Sequence, residues 1–183
     1  MTRFTIDPER STITIDASSS VHPIHTEAGG LEGWVEVERG SGGEIDVARS
    51  ARAHLEFPVD RLRSGKTLED RELRRRIDAK RFPTIVGELE ALAAAPLGAD
   101  NRDGGAADSG SRYQVTGDLT FKGHTKRYVH VMQWTFEDDR TLRLQGAAEF
   151  DVRDFAMEPP KILLLKVHPE VDVRVDVYAV RDD

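Results

Sequence analysis

Apolar and polar residues alternate at period two through most of the chain. From Tyr113 to Phe121, the residues Tyr113, Val115, Gly117, Leu119 and Phe121 fall on one face, and Gln114, Thr116, Asp118 and Thr120 on the other. That is the pattern of a half-buried strand. Lys122-Gly123-His124-Thr125 turns the chain, with Gly123 free to take the positive φ of a tight hairpin, and Thr125 to Val131 is a return strand rich in β-branched and aromatic residues. The same alternation marks Phe4 and Ile6, Ile13 and Ile15, then Leu31, Gly33, Val35 and Val37. It continues in Ala51, Ala53, Leu55, Phe57 and Val59, and in Ile85, Gly87, Leu89 and Ala91. Two later segments follow it too: Leu142, Leu144, Gly146, Ala148, Phe150 and Val152, and Val171, Val173, Val175, Val177 and Ala179.

The period changes after Lys66. Thr67 is a candidate N-cap with Asp70 three residues on, Leu73 and Ile77 form an i,i+4 apolar pair, and Arg74 to Arg76 sit late, which predicts a helix over about residues 67–77. Positive charge in a last helical turn is worth about 0.3–1 kcal/mol per residue, so the arginine run reads as a solvated helix end. Ser18 to Gly30, carrying His22 and His25, shows no clean period and reads as a loop. Ile162 to Leu165 is apolar on both faces and reads as a doubly buried strand or a self-association surface. Asp100 to Ser111 is too small and polar to bury, which predicts a flexible loop at about 98–111 inside one domain spanning 1–183.

Composition narrows the function classes. A chain of 183 residues that is 38% hydrophobic suits one core. A net charge of -7 argues against nucleic acid as a partner, because a phosphate-backbone binder carries a basic face. The absence of cysteine removes disulfides, thiol catalysis and cysteine-based zinc sites. The N-terminal residues lack the apolar stretch of a secretory signal, and no apolar run is long enough to span a bilayer, so a soluble, cytoplasmic protein is expected.

Eight or more short strands, one helix and no α/β alternation imply an all-β fold, an antiparallel sheet that hides its edges by closing into a barrel with the helix capping one end. Five segments, in order, resemble the YceI-like family of lipocalin-like barrels associated with polyisoprenoid binding. They are Phe4-Thr-Ile-Asp-Pro8 with Ser11, then Gly30-Leu-Glu-Gly-Trp34, then Asp70-Arg-Glu-Leu73 leading to Ile77-Asp78 and Arg81-Phe-Pro-Thr-Ile85. Val115 to Lys126 and Asp151-Val-Arg-Asp-Phe155 complete the set. The resemblance implies an eight-stranded antiparallel barrel with a helical cap, a long apolar chain held inside, frequent dimerisation and no catalytic constellation. The chain departs from the family pattern at Ala156, where Arg-Asp-Phe is usually followed by glycine.

The expected lipid-binding lining is Leu31, Gly33, Val35, Ala53, Leu55, Phe57, Ile85, Gly87, Leu89, Val115, Gly117, Leu119, Phe121, Leu142, Leu144, Ala148 and Phe150, with His22 and Arg153 on a polar rim. Glycine at the apolar-face positions 33, 87, 117 and 146 leaves the interior underfilled, bends the sheet, or does both. His22, His25 and Glu27 include metal-ligand residue types, but with no regular spacing they read as loop residues, and no metal or cofactor is expected. Asp151, Arg153 and Asp154 read as a structural clamp. No catalytic sequence signature is present. The expectation is a non-enzymatic carrier of an isoprenoid or fatty-acyl lipid. A lipid hydrolase or isomerase around Arg153, and a protein-interaction barrel working through Leu163 to Leu165, are the alternatives.

Overall fold

Every strand pairing among the described residues is antiparallel. The computed structural model describes residues 1–96, 111–159, 161–162 and 165–182. Its strands are β1 (Thr2–Ile6), β2 (Thr12–Ser19), β3 (Ile24–Ala28), β4 (Glu32–Val37), β5 (Arg52–Pro58), β6 (Thr84–Ala94), β7 (Ser111–Phe121), β8 (His124–Phe136), β9 (Thr141–Asp151), β10 (Lys161–Ile162) and β11 (Leu165–Arg181). Helix α1 (Thr67–Ile77) lies between β5 and β6, and 3-10 turns follow β5 (Val59–Arg61) and β9 (Val152–Phe155).

The long strand β11 closes the sheet, pairing with β9 on one edge and with β2 and β1 on the other. β1 and β2 together form one bent stave, and β3 and β4 form the next. With β5 to β9 and β11 these make an eight-strand closed antiparallel barrel. Ser11 repairs the ladder at the first bend: its fully buried hydroxyl donates to the Tyr178 carbonyl at 3.3 Å and accepts from the Tyr178 amide at 3.0 Å. A buried backbone group left unpaired there would be costly.

The β7–β8 hairpin follows the sequence pattern, with eleven paired positions from Ser111↔Trp134 to Phe121↔His124. Both Lys122 (φ 51°) and Gly123 (φ 77°) take positive φ, as a two-residue turn matched to strand twist requires. Helix α1 has the predicted limits, but Lys66 precedes it without a side-chain cap. Asp70 instead accepts from the Ser64 amide and hydroxyl, both at 2.8 Å, tying the incoming loop to the helix.

Three sequence expectations change. Residues 24–28 form strand β3, which pairs with β2; its inward residues Ile24, Thr26 and Ala28 are too mixed to show as an apolar face. In β6 the register shifts between Leu89 and Ala91, and a bulge exchanges the two faces. Leu92 is therefore buried and Ala91 exposed. The 162–165 run is not one strand, because Ile162 pairs with Leu165 across β10 and β11. Of the predicted 98–111 loop, Ser111 begins β7 and the rest lies outside the described residues.

The two barrel ends differ. At one, Tyr113 and Trp134 meet edge-on at 6.3 Å, Phe4 packs on Phe136, and buried Ile45 donates its amide to the Tyr113 hydroxyl at 2.8 Å. These residues plug that end. At the other end, α1 lays Leu73 and Ile77 across the opening, while Phe155 and Met157 close in from the 3-10 turn after β9.

Candidate functional site: an apolar barrel cavity

Between the plug and the cap lies a cavity of about 410 Å³, within the range of about 300–1,000 Å³ typical of ligand pockets. Inward alternation on the staves forms its wall: Ile13 and Ile15 from β2, Leu55 and Phe57 from β5, Leu119 and Phe121 from β7, and Val171, Val173, Val175 and Val177 from β11. The outward residues of the same strands are charged and pair across the surface. Asp118 accepts two bonds from Arg127, and Asp176 two from Arg143. His54 contacts Glu88 at 2.5 Å and Glu56 at 3.1 Å. The guanidinium beside Asp118 holds its carboxyl below the usual range, and the hydrogen bond with Glu88 raises the His54 pKa.

Of the seventeen residues expected to line the interior, fifteen border the cavity. Gly33 does not. It pairs with Leu55 at φ 137°, and a Cβ there would fall 2.0 Å from the His54 carbonyl oxygen, so its glycine serves backbone approach. Leu142 is also outside the wall; it is fully buried in the core and next to Thr141 at the start of β9, on the plugged side. The four interior glycines divide by role. A Cβ on Gly117 would press the Glu88 carbonyl at 2.6 Å, and one on Gly146 would meet Met132 Cγ at 2.8 Å. Only at Gly87 would an added Cβ meet ordinary contacts alone, with Leu55 at 3.7 Å.

Neither expected rim residue lines the cavity. Arg153 is 61% exposed and held on the surface by Asp151 and Glu170, so it forms no buried clamp. His22 sits in the β2–β3 turn, where Nε2 lies 3.2 Å from Lys66 Nζ and 3.8 Å from Glu69 Oε1. His25 instead pairs with Asp16 at 2.6 Å, so the structure does not bring the two histidines together. Among the described residues, no group of three His, Asp or Glu has metal-binding proximity.

The sequence reading missed an aromatic wall. Tyr128, His130, Met132 and Trp134 all face inward from β8, and their i,i+2 spacing was the available signal. Tyr128 meets Phe150 edge-on at 4.8 Å, and His130 stacks on Tyr128 at 5.7 Å. Burial, followed by the nearby Asp154 carboxylate, pushes the Tyr128 pKa up to about 12. The phenol therefore stays protonated and donates to Asp154 Oδ2 at 3.3 Å. The cavity reaches the capped end of the barrel, where Ser64, Glu69, Asp70 and His168 line it.

A YceI-like domain model matches residues 4–179. The chain belongs to the YceI-like family. Its fold is similar to that of Burkholderia cenocepacia BcnA (TM-score 0.71, 17% identity), covering 95% of this chain and 99% of that one. A polyisoprenoid binding domain from Saccharophagus degradans, implicated in plant cell wall breakdown, matches at TM-score 0.71 and 11% identity over 100% of both chains. A Campylobacter jejuni YceI protein matches at TM-score 0.63 and 13% identity over 87% of this chain and 86% of that one. No curated protein matches the chain. Among the described residues, no helix is long and apolar enough to cross a membrane.

Proposed function

We propose that this YceI-like protein binds and carries a long apolar lipid, a polyisoprenoid or fatty-acyl chain, inside its barrel and performs no chemistry on it. The carrying observation is a cavity of about 410 Å³ walled by aliphatic and aromatic side chains. Left unfilled, such a space forfeits the packing contacts of the side chains that line it. Water is a poor filling, because a buried water needs two to four polar partners and this wall offers few. An alkyl chain fits it, gaining about 0.8 kcal/mol for each methylene taken from water.

The polyisoprenoid-binding description of the Saccharophagus degradans relative supports the same ligand class. The outward position of Arg153, whose partners Asp151 and Glu170 also face solvent, supports the carrier reading over a hydrolase or isomerase built around it. Solvent extraction of the purified protein followed by mass spectrometry tests the proposal. The expected result is a co-purifying lipid in near-stoichiometric amount. Protein that is consistently empty and also refuses a fluorescent polyprenyl or acyl probe would refute it.

A further inference from the structure

The geometry points to the capped end as a docking surface for an anionic lipid bilayer. Residues 61–81 hold nine Lys and Arg against four Asp and Glu, a net +5 in a chain whose total is -7. The rest of the sequence therefore carries -12, so this segment is the basic part of the chain. Helix-end electrostatics explains Arg74 to Arg76, Lys66 pairs with Glu69 at 3.2 Å, and Arg61 and Arg63 lie beside Glu27 and Gly30, which leaves Arg71, exposed and before the last turn of α1, without such an account. The inward face of α1 is spent on the barrel through Leu73 and Ile77, while its outward face shows Leu68, Arg71 and Arg75 to solvent.

Apolar side chains stand on the same surface. Leu68 is 66% and Val21 69% exposed. They flank one contact: His22, next to Val21, meets Lys66 at 3.2 Å and Glu69 at 3.8 Å, and Leu68 lies between those two partners in the chain. Glu69 lines the cavity, so both anchors sit at the end where the cavity reaches the surface. Cations beside exposed aliphatic side chains suit a bilayer with anionic headgroups, where basic residues gain from the surface potential and the aliphatic groups enter the interface. Docked this way, the barrel would present its cavity end to its lipid source. That consequence rests on the lipid-carrier reading; the docking itself does not.

Vesicle flotation of probe-free protein tests it. Vesicles of phosphatidylcholine mixed with phosphatidylglycerol should carry the protein, pure phosphatidylcholine vesicles should not, and binding should fall steeply with added salt. Arg71→Glu with Arg75→Glu, or Val21→Glu with Leu68→Glu, should each lower bound protein by about tenfold. All four positions are exposed, so folding is preserved; Arg49→Glu, outside the cap, should change nothing. Equal binding to both vesicle types, or undiminished binding by the cap variants, would overturn the inference. Probe uptake from detergent without vesicles reads the cavity alone, so a failure of docking and a failure of lipid binding are told apart.

Discussion

Gly87 faces Leu55 across β5 and β6, and the Cβ it lacks would meet that side chain at an unstrained 3.7 Å. The space is available, and nothing in the protein fills it. Gly87→Leu should occupy part of the cavity and displace about two methylenes of guest, a loss of about tenfold in affinity for an acyl probe. Thermal stability should hold or rise, because a strand glycine costs about 0.5–1 kcal/mol relative to alanine. Probe titration and a melting curve on the same preparation check both halves.

Gly33 and Gly117 should respond in the opposite way. A Cβ at 2.0 Å from the His54 carbonyl or 2.6 Å from the Glu88 carbonyl meets backbone that cannot move without breaking a ladder. Gly33→Ala and Gly117→Ala are each expected to lose about 1–3 kcal/mol in urea unfolding.

Ala156 holds φ 49° as the left-handed residue closing the turn after β9. A left-handed conformation costs a residue with a Cβ about 1–2 kcal/mol, partly offset by lower entropy in the unfolded chain. Ala156→Gly should therefore raise unfolding free energy by about 0.5–1 kcal/mol, measured by denaturant titration. No change, or a loss, would mean that the turn does not impose this conformation.

His54 lies between Glu88 and Glu56 on the outer face, and its pKa is raised chiefly by the bond to Glu88. A raised value stabilises the fold fully below the unfolded histidine pKa of about 6.5 and ceases to as pH climbs through the folded value. Stability should thus fall on going from mildly acidic to alkaline pH, by less than about 1 kcal/mol because the partners are solvent-screened. Glu88→Gln should flatten that slope in pH-dependent unfolding.

Period-two alternation was enough to place most barrel staves and the β7–β8 hairpin, because each half-buried strand writes its inward face directly into the sequence, and the change of period at the Leu73–Ile77 pair placed α1. What it could not carry was geometry between strands. β3 mixes Thr26 and Ala28 into its inward face, so it resembled a loop until its pairing with β2 was visible. The bulge after Leu89 reverses two faces without any glycine or proline to announce it. The roles of Gly33, Gly87, Gly117 and Gly146 differ only through what stands opposite each of them, which a single sequence does not record. Arg153 looked like a rim residue beside inward Val152 and Phe155, yet Asp151 and Glu170 turn it outward.

The most direct measurement is a titration of lipid-stripped protein with a fluorescent polyprenyl or acyl probe, run alongside Gly87→Leu. The account expects saturable uptake of one probe per barrel, weakened by about tenfold in the filled variant. Non-saturable uptake, or equal binding by a barrel whose interior has been filled, would contradict it.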